Sequence, residues 1–398
     1  WNQLGADIDG EAAGDQLGWS VAMSGNGNRV IVGARFNDGN NSNSGHVRMY
    51  QWSGSAWVQM GADIDGESAL DQFGYAVSMN DAGDRIAVGA INNDGNNSNS
   101  GHVRIYSWNG TSWGQVGADI DGEAGGDQSG FAVSLNAAGD KVVIGAASND
   151  AGNFNNGHVR VYSYDGTSWS QQGQDIDGVD ADDQLGYAVS INAAGNRIAV
   201  AAPYHDGSGF DVGQVKVFNW NGTIWVKYGQ SINGEATGDE FGSSIAMNAA
   251  GDRLIIGAKN NSGTQTLAGH SRVFTWSDTT WVQLGDDLEG ENIEDYSGNA
   301  VAINASGDVV AIGATQNDGN GTSSGHVRLY QNNTCTSPVS ITMLPAEDAS
   351  FVYGATSFCF DSPDPSPLHS GTTGGYYLGD NALVIDCLLY TSPSPRDI

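Results

Sequence analysis

The sequence predicts an all-β fold, a six-bladed β-propeller of four-stranded antiparallel blades, on three observations. A period of 56 residues runs without insertion or deletion through six copies, marked by Trp1, Trp57, Trp113, Trp169, Trp225 and Trp281 in one phase and by Gly45, Gly101, Gly157, Gly213, Gly269 and Gly325 in another. A period of that length in a strand-forming chain marks propeller blades or a β-solenoid. Each copy holds four short strand-like runs broken by turn residues, which is one blade. After Tyr330 the sixth copy lacks its outer Trp strand, whereas WNQLG at residues 1–5 is an outer strand with no blade before it. The N-terminal strand is therefore expected to close a six-bladed ring, the rival being seven blades with one missing upstream.

Taken in order, the first copy reads GWSVAMS, RVIVGA, GHVRMYQW and WVQMG. The first turn, GNGN, becomes NAAGD in later copies, where the Gly suits the left-handed position of a short hairpin; the third, SGSA, becomes NGTS or DGTS. Trp52 with Trp57, Trp108 with Trp113, Trp220 with Trp225 and Trp276 with Trp281 flank that third turn, where cross-strand ring contact fixes register. Ser20 and Ala22 alternate with Trp19, Val21 and Met23, the pattern of an inner strand crowded near an axis. Because strands alternate in direction, the short turns share one face of the disc. The long NDGNNSNS loops and the acidic loops, GADIDGEAAGDQLG in the first copy, share the other.

The runs FGYAVSMNDAGDRIAVGA at 73–90, LGYAVSINAAGNRIAVAAP at 185–203 and FGSSIAMNAAGDRLIIGA at 241–258 resemble FG-GAP repeats, the blades of integrin α-chain propellers and of many microbial surface proteins. The resemblance spans about residues 1–332. It implies a secreted or cell-surface propeller used for adhesion or assembly. Members of the family often hold calcium in the first hairpin with Asp and Asn around a Gly. NAAGD is too short and too poor in acids for that here.

Charge narrows the partners. With 15 Lys and Arg against 46 Asp and Glu, the net charge of −31 repels nucleic acid and anionic membrane and gathers cations. No apolar run reaches the roughly 18 residues of a membrane span. More than half of the acids lie in the six acidic loops. There Asp7, Asp9, Glu11 and Asp15 offer oxygen ligands at mostly alternating positions, repeated as Asp63, Asp65, Glu67 and Asp71, as Asp119, Asp121, Glu123 and Asp127, and in part as Asp175, Asp177 and Asp183. These are the candidate calcium loops. The EF-hand pattern is not matched, since Gly10 comes too early and Gly18 stands where a bidentate acid belongs; the fifth copy substitutes Ser231 and Asn233. Hydrated, metal-free charge is the competing reading.

No catalytic set stands out. His46, His102, His158, His270 and His326 recur in the GHVR or GHSR element, with Gln214 in the fourth copy, and Arg48, Arg104, Arg160, Arg272 and Arg328 recur with Lys216. Residues repeated round a ring are architectural, whereas an active site needs one asymmetric constellation, so the protein is read as a non-enzyme. The expected partner is a protein, or further copies in a filament or coat, met at the loop face. A lectin-like propeller is the alternative, and would require Trp19, Tyr75, Phe131 and Tyr187, which the strand pattern places in the blade core, to stack on sugar instead; Ser243 and Asn299 replace them in the last two copies. Sequons at Asn40, Asn96, Asn109, Asn221, Asn260, Asn304, Asn320 and Asn332 are glycosylation candidates. Residues 333–386 lose the period and read as a linker and the start of a further β-rich module, in which Cys335 and Cys359 are a candidate disulfide if the protein is secreted. Residues 387–398 resemble a translated sequencing adapter and are set aside.

Overall fold

A computed structural model describes residues 3–150 and 152–332, with four short strands beyond them. The chain divides into two compact units, Trp1–Tyr330 and Gln331–Ile398. The first is the propeller. Its opening blade comprises β1 (Leu17–Met23), β2 (Arg29–Ala34), β3 (His46–Trp52) and β4 (Trp57–Gln59), paired antiparallel in that order. A fifth strand, β5 (Ile64–Asp65), joins the start of β3 through His46↔Asp65 and Val47↔Ile64. Blades two to five repeat this five-stranded sheet. The first half of the acidic loop is thus backbone-paired rather than free, the alternating Asp-Ile-Asp placing its Ile toward the sheet.

Local chemistry fixes each turn. Asn80 Oδ1 accepts from the amides of Asp84 and Arg85 at 3.0 and 2.9 Å while Gly83 takes a φ of 68°. Trp52 faces Trp57 in register with ring centroids 5.5 Å apart, and the pairs at Trp108, Trp220 and Trp276 sit at 5.4 Å. Each outer Trp also ties its blade to the strand before it. Trp113 Nε1 donates to Met60 O at 2.9 Å, and Trp57, Trp169, Trp225 and Trp281 make the same bond to Leu4, Val116, Gln172 and Tyr228.

The core lies between blades, where apolar faces of successive sheets meet. Ile31, Val47 and Met49 of the first blade pack on Phe73, Met79, Ile86 and Val88 of the second. Inner strands come so close that a Cβ on Gly89 would lie 2.2 Å from Gly130 O and one on Gly145 would lie 2.0 Å from Gly186 O, which explains the paired glycines of the repeat.

The inner strands pack in sequence from β1 through Phe73–Met79, Ala132–Leu135, Ala188–Ile191 and Phe241–Met247 to Ser297–Ile303. Among the described residues the last does not return to pack on β1 in this way. Val21 is 63% exposed where its equivalent Val133 is 9%, and Val327 is 65% exposed where Val103 is 0%. The sixth sheet has three strands, Ser297–Ile303, Val309–Ala314 and His326–Gln331, with no N-terminal strand in it. The fold is the expected six-bladed propeller; Trp1 and Asn2 of the closing segment lie outside the described residues, and Leu4 O accepts from Trp57 Nε1 as Met60 O, just after an outer strand, accepts from Trp113 Nε1.

In the second unit Ile341–Met343 pairs with Tyr377–Gly379, and Phe351–Val352 with Leu368–His369. Cys335, Cys359 and residues 387–398 lie outside the described residues.

Candidate functional site

The acidic loops and the Asn-rich loops after β2 meet on one face. Asp15, the last acid of the first quartet, is buried and accepts from Ala12 N at 3.1 Å and from Asn37 Nδ2 at 2.9 Å. Asp71 does the same with Ser68 N at 3.0 Å and Asn93 Nδ2 at 2.9 Å, as does Asp295 with Asn292 N and Asn317 Nδ2. Asp127 and Asp183 are equally buried, and in the fourth copy His205 takes the Asn position, its Nδ1 3.2 Å from both Asp183 oxygens. These acids peg one loop to the other. Sequence reading missed the peg, although the Asn partner stands 22 residues after its Asp in each bonded pair.

The remaining acids of a quartet point elsewhere. Asp7 accepts from Gln3 Nε2 at 2.7 Å. Asp65 and Asp121 lie on fifth strands, and burial pushes both carboxyls above their ordinary value. Asp9 supplies its backbone oxygen to Arg48 Nη2 at 2.9 Å, and Asp177 pairs with His158 across the ladder. What does converge comes from successive loops. Arg104 donates through Nε and Nη2 to Asp119 at 3.0 and 2.8 Å, and its Nη2 also meets Glu67 from the loop before. Arg160 does this with Asp175 at 2.9 and 2.7 Å and with Glu123. Arg272 reaches back to Glu235 at 3.1 Å and to Asn233 O at 2.8 Å. The guanidiniums of Arg104 and Arg160 thus each clamp two loops, whereas that of Arg272 holds one loop at two points.

The clamp sets the local titration. Burial pushes Asp119 up, but hydrogen bonds from Arg104 and Gln115 prevail and hold it below its ordinary value. Hydrogen bonding to Arg160 does the same for Asp175. Burial, reinforced by Arg104, depresses His102 to about 4, and burial likewise lowers His46, His158 and His270, so these imidazoles are neutral at pH 7. In the fourth copy Glu, His and Arg are replaced together by Val179, Gln214 and Lys216, as expected of one physical unit.

Among the described residues five groups of one His and two acids have ligand atoms within 4.8 Å of one another and could hold a metal ion: Glu11, His46 and Asp63; Glu67, His102 and Asp119; Glu123, His158 and Asp175; Glu235, His270 and Asp287; and Asp180, Asp183 and His205. A nitrogen with two carboxylates suits a borderline transition metal rather than calcium, which takes six to eight oxygens. In the first four an arginine within 4.0 Å of an acid already supplies the cation. The predicted quartets do not converge on one point, and the residues present do not fit calcium. Chelation with EDTA is expected to leave the melting temperature unchanged, read by differential scanning fluorimetry; a fall of several degrees would show that an ion displaces the guanidinium.

Asn40, Asn96, Asn109, Asn221, Asn304 and Asn320 are exposed. Asn40 and Asn96 spend Nδ2 on Gly66 O and Gly122 O, a bond that a glycan would disturb, and Asn260 binds Glu240. At the hairpin positions Asn109 and Asn221 the Oδ1 atoms accept from amides of their own turns, Thr111 and Ser112 or Thr223 and Ile224.

Fold and clamp together define a β-propeller repeat protein with an acidic loop face. Residues 7–50 and 64–106, two acidic loops and the strands that follow them, match the FG-GAP repeat. Among solved structures, a Bacteroides uniformis protein provisionally assigned as a 6-phosphogluconolactonase is similar in fold, with 11% identity, a TM-score of 0.56 and 80% of this chain aligned with 82% of that one. No curated protein matches the chain. Among the described residues no helix is long and apolar enough to cross a membrane.

Proposed function

We propose that the protein is an extracellular, non-enzymatic adhesion or assembly module whose contact surface is the acidic loop face. The observation that carries this reading is the gathering of exposed Asp7, Asp9, Glu11, Glu67 and Glu123 on a face whose loops are pegged and clamped rigid. A rigid, strongly anionic surface selects a partner of positive charge and steers it by a field that salt weakens. The FG-GAP match agrees with such a module. Catalysis finds no support in the site, because its clamp recurs from blade to blade, and the lactonase-like neighbour shares only its fold.

Beads carrying the protein test this on polylysine surfaces. Retention is expected to disappear when those five acids become amides and to persist when five acids of the short-turn face, Asp81, Asp84, Asp140, Asp165 and Asp252, are neutralised instead. Equal retention in both variants, or equal loss, would remove the loop face as the contact surface.

A further inference from the structure

The copies differ most at the mouth of the central axis on the loop face. At one position the blades present Trp19, Tyr75, Phe131 and Tyr187 and then Ser243 and Asn299; at another they present Arg35, Ile91, Ala147, Pro203, Lys259 and Thr315. The four rings form a continuous arc. Trp19 lies 5.7 Å from Tyr75, Tyr75 lies 5.2 Å from Phe131 and Phe131 lies 4.9 Å from Tyr187, with interplanar tilts of 48–50°. They are not blade core, for Trp19 is 45% exposed and the other three are partly exposed. Where the arc stops, a cleft of about 340 Å³ opens, lined by Glu240, Lys259, Asn260, Asn299 and Gln316 beside Tyr296. Its polar groups are positioned: Lys259 Nζ lies 3.0 Å from Glu240, which also accepts from Asn260 Nδ2 at 2.6 Å.

We infer that this mouth is a binding site for a neutral saccharide, a function separate from the contact surface of the loop rim. A wall of tilted aromatic rings offers apolar faces to the C–H faces of sugar rings. Next to it, amides, a carboxylate and an ammonium offer the donors and acceptors that hydroxyls require. Charge selects against the other ligands. An anion must cross the acidic rim, which repels it. A cation is repelled by the positive charges at both ends of the arc, since the Arg35 guanidinium lies 3.2 Å from the Trp19 centroid and Lys259 Nζ lies 5.9 Å from that of Tyr187, while Tyr75, Phe131 and Tyr187 stay partly exposed. A neutral polyhydroxyl chain escapes both penalties. The asymmetry is what a site requires and the repeated clamps lack.

Isothermal titration with cellotetraose, maltotetraose, mannotetraose and chitotetraose tests the inference on the whole chain, with a heparin tetrasaccharide and glucosamine tetramer as charged controls. At least one neutral tetramer is expected to bind. Phe131→Ser, which installs the residue the fifth blade already carries, and Asn299→Tyr, which extends the arc into the cleft, are each expected to weaken it by about tenfold or more. Melting temperature separates lost binding from lost folding, and Asn299→Tyr, at an exposed position, keeps the test open if Phe131→Ser unfolds. No binding by any neutral tetramer, unchanged binding in a folded Asn299→Tyr variant, or equal binding of the heparin tetrasaccharide would overturn the assignment. The bead assay of the loop rim is unaffected by either outcome.

Discussion

Gly101→Ala is expected to destabilise the propeller by about 3 kcal/mol or more, while the same change at Gly325 removes only about 1–2 kcal/mol. Two effects act at Gly101. Its φ of 71° is left-handed, which a Cβ penalises. A Cβ there would also lie 2.3 Å from Ser129 O and 2.6 Å from Ser129 N, backbone atoms leading into the inner strand of the next blade. Neither atom can rotate away, so blade two would have to separate from blade three. Gly325 shares the backbone angle at 67°, but its nearest neighbour is Thr315 O at 3.3 Å, and among the described residues no following blade presses on it. The pair therefore splits conformational strain from blade packing. Urea midpoints of the two variants measure both, and equal losses would show that the glycine serves only its own turn.

That glycine was legible in the sequence as a phase marker, and so were the strands, because periodicity and turn residues report local structure directly. The Trp pairs were legible for the same reason. What the sequence concealed depends on departures from strict alternation. Tyr75 follows a β-bulge, the register shifting between Phe73 and Ala76, so counting by twos along the strand places its ring in the blade while the fold turns it to the axis. The acidic quartets are divided by the fold in a similar way. Alternating acids converge on an ion only when the loop wraps round it, and in the 61–74 loop β5 straightens the first half while Asp71 is drawn under the surface by Asn93. The partners of the repeated Arg lie 15 residues onward in one direction and 37 residues back in the other, where one copy alone offers no hint.

The clamps predict a loss of stability in mild acid. His102 is held at about 4 by burial and by Arg104, against the opposing pull of Asp119 and Glu67, whereas its ordinary value is 6.5. A basic group with a depressed folded value binds its proton more readily when unfolded. Its contribution is complete above pH 6.5 and is lost as pH falls from 6.5 towards 4. A tenfold difference in proton affinity between the folded and unfolded chain is worth about 1.4 kcal/mol, so this one imidazole removes roughly 2–3 kcal/mol over that window. His46, His158 and His270 are lowered in the same direction. Burial raises Asp65, Asp71, Asp121 and Glu289, whose protonation favours the folded state on acidification and blunts the loss as pH approaches 4. Asp119 and Asp175, held low, withdraw their support only below that range. Blade four supplies the control: Gln214 occupies the histidine position and donates through Nε2 to Asn233 Oδ1 at 2.9 Å, so the site accepts a neutral amide. His102→Gln is expected to keep the urea midpoint near its wild-type value at pH 7.5 and to flatten its decline between pH 6.5 and 4.5. A variant that loses stability with acid as steeply as the wild type would mean that His102 titrates normally in the folded protein, and that the guanidinium clamp does not govern it.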